Sequence, residues 1–108
     1  MQHILFTLKG CPFDLLDDES YIREVLVNAT QLTESTLLDI SSYKFSPCGV
    51  TAIALLAESH ISIHTWPEKN MAACDVFTCG EHTNPRSGAT YIYEAMNATD
   101  IKSEILKR

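Results

Sequence analysis

No apolar run in the chain approaches the ~20 residues that a membrane-spanning helix requires, so a transmembrane helix is not expected. Basic side chains are scarce: 8 Lys and Arg stand against 14 Asp and Glu, a net charge of -6, which argues against nucleic acid as a partner. The opening Met1-Gln2-His3-Ile4-Leu5-Phe6 lacks the basic start and small-residue cleavage site of a signal peptide, and this predicts a cytoplasmic protein. There is no internal repeat, low-complexity tract or interdomain linker. Cysteine is limited to Cys11, Cys48, Cys74 and Cys79, and a reducing compartment argues against disulfides among them. The first three read as small buried apolar residues, whereas Cys79 is taken up below.

What is present is the composition of an ordinary soluble domain, 45% hydrophobic and 20% charged over 108 residues. So short a chain buries a smaller share of its surface than a large one, and a homodimer with its site at the subunit interface is expected. His3–Lys9 reads as a first strand, stopped by Gly10-Cys11-Pro12. Asp17 and Asp18 can cap a helix through Tyr21, Ile22, Val25, Leu26 and Ala29. Thr36–Phe45 reads as a second strand, and the run Val50–Ala57 as a strand buried on both faces. Alternation in His60-Ile61-Ser62-Ile63-His64 puts the isoleucines on one face and the polar residues on the other. Turn residues Pro67–Asn70 lead to a strand over Ala72–Thr78. Asn84-Pro85 opens a helix carrying Ala89, Ile92, Ala95 and Met96 on one face, and Ile101–Leu106 closes the chain as a strand or extended tail. Short connections favour antiparallel neighbours, so the expected fold is α+β, a two-layer sandwich with helices on one face of a largely antiparallel sheet.

Polar residues gather between Glu58 and Glu81. Ser59 follows a strand, His64 lies five residues on and Cys79 twenty on. A hydrolase would need an orienting acid, which spacing alone does not single out, and no Gly-x-Ser-x-Gly elbow is present. His60 and His64, with Cys74 and Cys79, have metal-ligand chemistry. On a strand, however, positions four apart lie about 13 Å apart, too far to share one ion. Taken singly, Ser59 and His60 would be a strand edge and His64 a hydrogen-bonded core histidine. Their density around one hairpin points instead to a site.

Ala57-Glu58-Ser59-His60-Ile61-Ser62-Ile63-His64-Thr65-Trp66-Pro67-Glu68, followed by Asp75-Val76-Phe77-Thr78-Cys79-Gly80, resembles the prokaryotic S-adenosylmethionine decarboxylase family. The likeness extends through Gly10-Cys11, Leu15-Leu16-Asp17-Asp18, Phe45-Ser46-Pro47 and Gly49-Val50, and covers roughly Ile4 to Ala98. It implies a proenzyme in which Ser59 Oγ attacks the Glu58 carbonyl, converting the amide into an ester. His64 then serves as the proton acceptor in β-elimination, and residue 59 becomes a covalent pyruvoyl group. The single domain 1–108 would thus be split into 1–58 and 59–108. Serine suits the task because it can both form the ester and eliminate it, and imidazole can accept a proton near neutrality. Thr51 stands where relatives commonly carry a serine that assists processing.

The resemblance further implies a Schiff base between the pyruvoyl ketone and the substrate amine, with no metal and no pyridoxal phosphate. Cys79 is the implied proton donor to the decarboxylated α-carbon. Phe45, Trp66 and Glu68 are implied at the substrate, aromatic faces being suited to adenine and to a sulfonium cation. S-adenosylmethionine is the favoured substrate, its decarboxylated product serving spermidine synthesis. Arginine or ornithine decarboxylases of the same fold are the nearest alternative. A non-catalytic homologue acting as a regulatory partner is the next, though it would have no chemical need for Ser59, His64 and Cys79 together.

Overall fold

The computed structural model describes all 108 residues. In chain order the elements are β1 (Gln2–Lys9), α1 (Phe13–Leu16), α2 (Glu19–Leu32), β2 (Leu37–Lys44), β3 (Val50–Leu56), β4 (Ser59–Trp66), a 3-10 turn (Pro67–Lys69), β5 (Met71–Thr78), α3 (Pro85–Ala95) and β6 (Asp100–Lys107). The six strands form one sheet in the order β2-β3-β4-β5-β1-β6, and every neighbouring pair is antiparallel. Helix α2 lies over β2, β3 and β4, while α3 lies over β1 and β5. The result is the expected α+β two-layer arrangement, with one sheet face left open.

Period-two patterning decides which side chains meet the helices. Ile4, Phe6 and Leu8 of β1, Ile61 and Ile63 of β4, and Ala72, Cys74 and Val76 of β5 are buried beneath them. From α2, Ile22, Val25, Leu26 and Ala29 close the core at helical spacing. The α2 cap is Asp18, whose Oδ1 accepts the Tyr21 N–H at 3.0 Å. Asp17 does something else: its carboxylate accepts the Gly49 N–H at 2.8 Å and pairs with Lys44 at 2.9 Å. Asn84 caps α3 as expected, Oδ1 accepting the Ser87 N–H at 3.3 Å, and buries Ala89, Ile92 and Met96. Gly88 allows α3 to press on the end of α2, since a Cβ there would sit 2.5 Å from Thr33 Cγ2.

The apolar run of β3 is not buried on both faces. Val50, Ala52, Ala54 and Leu56 point to the helices, but Ile53 is 41% and Leu55 51% exposed on the open face. The helices cover only one side of the sheet, so the second apolar face of β3 has no cover within one chain. No helix is long and apolar enough to cross a membrane.

Candidate active site

The β3–β4 hairpin turns through two residues, Ala57 and Glu58, with Leu56 opposite Ser59. Such tight turns prefer left-handed backbone within the turn, usually at Gly or Asn. Here the positive φ falls on the following residue, Ser59, at +142°. For a non-glycine residue this is a strained conformation that its surroundings must hold in place. They do so from both sides: Ala57 N–H donates to Thr36 O at 3.0 Å, and Cys79 N–H donates to the Glu58 carbonyl at 2.9 Å. Glu58 Oε1 accepts the Thr36 N–H at 2.8 Å, and its Oε2 lies 3.4 Å from His82 Nε2. The Thr36 N–H, opposed by partial desolvation and helped by His82, holds the Glu58 carboxyl below its ordinary range.

Ser59 Oγ lies 3.1 Å from His60 Nδ1, and His60 Nε2 lies 2.8 Å from Asp75 Oδ2. His3 Nε2 reaches the same oxygen at 2.7 Å, and Ser62 Oγ donates to Asp75 Oδ1. Burial pushes Asp75 up, but the Ser62, His3 and His60 hydrogen bonds outweigh it and hold the carboxyl below its usual range. Asp75 is therefore a carboxylate and can only accept, so both imidazoles present Nε2–H to it. Each neutral ring then has a lone pair on Nδ1. In His60 it faces the Ser59 hydroxyl, and in His3 it faces Arg108 Nη1 at 3.0 Å.

A second group occupies the other end of β4 on the same open face. Thr51 lies opposite His64 in the ladder, and its Oγ1 is 2.5 Å from His64 Nδ1. The His64 ring packs on Trp66 with centroids 4.3 Å apart and on Phe45 at 5.8 Å. Glu68 is exposed on the 3-10 turn just beyond Trp66. Ser59 and His64 lie five positions apart on the strand, about 16 Å along the sheet. A shallow depression between the groups is lined by Leu5, Thr51, Ile53, Ser62, His64 and Asp75.

The fold thus brings Cys79 beside the Glu58–Ser59 bond, and Thr51, Phe45 and Trp66 around His64, but it does not bring His64 to Ser59 within one chain. Nor do His60 and His64 converge. The donors that do gather are His3, His60 and Asp75, whose ligand atoms lie within 4.8 Å of one another and are already engaged in the hydrogen bonds just described. Sequence spacing singled out no acid, yet Asp75 sits opposite Ser62 in the β4–β5 register, one strand across from His60. Asp75 lies in the second string that carries the family resemblance, and the alternation of β5 places it on the face of His60. Cys11 and Cys74 are core residues as expected, Cys48 is half-buried, and burial drives the Cys74 thiol far up.

The family model described as S-adenosylmethionine decarboxylase matches residues 2–108. An S-adenosylmethionine decarboxylase proenzyme of Methanococcus maripaludis (strain S2) is 55% identical, the match covering 97% of this chain and 90% of that protein. A proenzyme of the same name from Caldanaerobacter subterraneus is 40% identical, over 99% of this chain and 90% of its own. The crystal structure of the adenosylmethionine decarboxylase from Aquifex aeolicus superposes with a TM-score of 0.93 at 39% identity, covering 99% of this chain and 88% of that one. On sequence and fold alike, the chain belongs to the S-adenosylmethionine decarboxylase family.

Proposed function

We propose that this protein is an S-adenosylmethionine decarboxylase made as a proenzyme, which cuts itself between Glu58 and Ser59 to turn Ser59 into a covalent pyruvoyl group. The observation that carries the reading is the state of that peptide bond. Its carbonyl already accepts a hydrogen bond from Cys79 N–H, and the serine after it is held at a strained φ of +142°. A donor on the carbonyl favours the oxyanion that forms when Ser59 Oγ attacks the Glu58 carbon. The bond from that carbon to the Ser59 nitrogen then breaks, leaving an ester and a relaxed backbone. His64 takes the Ser59 α-proton in the elimination that releases residues 1–58, and Thr51 fixes its ring through Nδ1.

When formed, the pyruvoyl group supplies an electron sink that lets an α-amino acid lose CO2. Cys79, next to residue 59 in space, delivers a proton to the α-carbon from Sγ. Phe45 and Trp66 offer faces for adenine and the sulfonium, and Glu68 a carboxylate for polar groups.

The separation of Ser59 from His64 supports a homodimer through the open sheet face. That face exposes Leu5, Tyr43, Ile53, Leu55 and Leu106, an apolar surface that a monomer seldom leaves bare. A two-fold axis between the two groups places His64, Thr51 and Trp66 of one copy over Ser59 and Cys79 of the other, and the reverse. Two complete sites result.

Intact mass under denaturing conditions tests the cut. Two chains divided at Glu58/Ser59 are expected, the C-terminal one lighter than a serine-started chain by the loss of ammonia. Ser59→Ala should stay whole, and a wild-type chain that also stays whole after long incubation would refute the reading. The names of the relatives favour S-adenosylmethionine over arginine and ornithine. Release of labelled CO2 from the three, side by side, decides among them.

A further inference from the structure

We propose that His60, oriented by Asp75, is the base that takes the Ser59 hydroxyl proton when the chain cuts itself, a role distinct from that of His64. This rests on the self-cleavage reading above and assigns its first step. Three geometric facts carry it. The Ser59 hydroxyl lies 3.1 Å from His60 Nδ1. Asp75 accepts from His60 Nε2 at 2.8 Å, which fixes the tautomer that leaves a lone pair on Nδ1 toward the serine. His64, by contrast, could approach Ser59 only from the other copy of the proposed dimer, and its Nδ1 is occupied by Thr51 at 2.5 Å.

The step balances without a co-reactant. The Ser59 Oγ proton moves to His60 Nδ1 as Oγ bonds to the Glu58 carbonyl carbon. The charge that develops on the Glu58 oxygen faces the Cys79 N–H, 2.9 Å away in the starting structure. The same proton then passes from Nδ1 to the Ser59 nitrogen as the carbon–nitrogen bond breaks, and His60 ends neutral beside an ester. The titratable and charged neighbours of His60 are Asp75 from β5 and His3 from β1, with Arg108 reaching His3 from beyond β6 and the Glu58–His82 pair and the Cys79 thiol at the hairpin end. Asp75 and His3 act through His60 and are positioning residues.

The test follows full-length proenzymes by intact mass over time and over a range of pH, with hydroxylamine as a probe that cuts an ester but not an amide. His60→Gln is expected to split about 10²–10⁴-fold more slowly than wild type and to resist hydroxylamine, because no ester forms. His64→Ala is expected to form the ester and be cut by hydroxylamine, and the double variant to resist it. The pH profile of ester formation, read by hydroxylamine, should differ between wild type and His60→Gln, and Asp75→Asn should alter it while leaving His60 in place. Added imidazole should speed cleavage of His60→Gly, a rescue that a folding defect would not show. A His60→Gln chain that cuts at the wild-type rate, or that is as sensitive to hydroxylamine as His64→Ala, overturns the assignment and leaves the self-cleavage reading standing. A wild-type chain that never divides removes both.

Discussion

Ser59 occupies a backbone region that a serine seldom visits, at the bond that maturation is proposed to open. Such strain amounts to about 1–3 kcal/mol, and the proposed acyl shift would relieve it, because the amide that enforces it would no longer exist. Asp75 is the other residue with a measurable signature. Its folded carboxyl lies below the ordinary value although half-burial works against it, so the ionised form favours the folded state. That stability is fully present above the unfolded value of about 3.9 and is lost as pH falls through the folded one. Urea unfolding of the uncleaved Ser59→Ala chain should therefore show a decline in stability below about pH 4, and Asp75→Asn should flatten it. An unchanged decline in that variant would assign it to Glu58 and Asp17, which are shifted the same way. Ser59 and His64 were legible because they lie in one nearly ungapped motif, and Cys79 because a second string, Asp75–Gly80, shares the resemblance. The partnership of His60 was not: Asp75 opens that second string with no assigned role, His3 lies near the other terminus, and strand register alone joins both to His60.

Among the elements, alternation carried the most information. Ile61 and Ile63 point inward from β4 and the polar residues between them outward, as their spacing predicts. Ile61 is completely buried, so Ile61→Ala should destabilise the Ser59→Ala chain by about 2–5 kcal/mol, read from chemical denaturation. A loss under about 1 kcal/mol would mean that the core beneath α2 collapses into the space far more readily than such sites do. The misread element is instructive. Val50–Leu56 is apolar throughout, which suggests cover on both sides, yet the helices supply only one layer. Val50, Ala52, Ala54 and Leu56 face the helices, while the large Ile53 and Leu55 face outward. A continuous apolar run reports that both faces want cover, not that one chain provides it. The short α1 gave no periodic signal because four residues hold barely one turn.

At the scale of the whole molecule, the open face links assembly to chemistry. Ile53→Glu places a charge in its centre, close to the depression between the two polar groups. If the proposed dimer forms through this face, light scattering should show a monomer for Ile53→Glu and a dimer for wild type, and mass analysis should show slowed cleavage, since His64 would reach Ser59 only from the other copy. A dimer that persists with cleavage unimpaired would place the interface elsewhere.

Strand order would set what becomes of the two pieces if the hairpin is cut as proposed. Residues 1–58 hold β1, β2 and β3, and residues 59–108 hold β4, β5 and β6, yet β1 lies between β5 and β6. Three antiparallel ladders, β3 with β4, β5 with β1 and β1 with β6, therefore join one piece to the other. A subunit cut as proposed would be an interlocked heterodimer of fragments, neither of which owns a complete sheet. Folding before the cut is a search by one chain, whereas refolding after it is a meeting of two. The proposed maturation would thus work as a ratchet: once denatured, the processed protein would have to rebuild itself by a bimolecular route that its precursor never had to take.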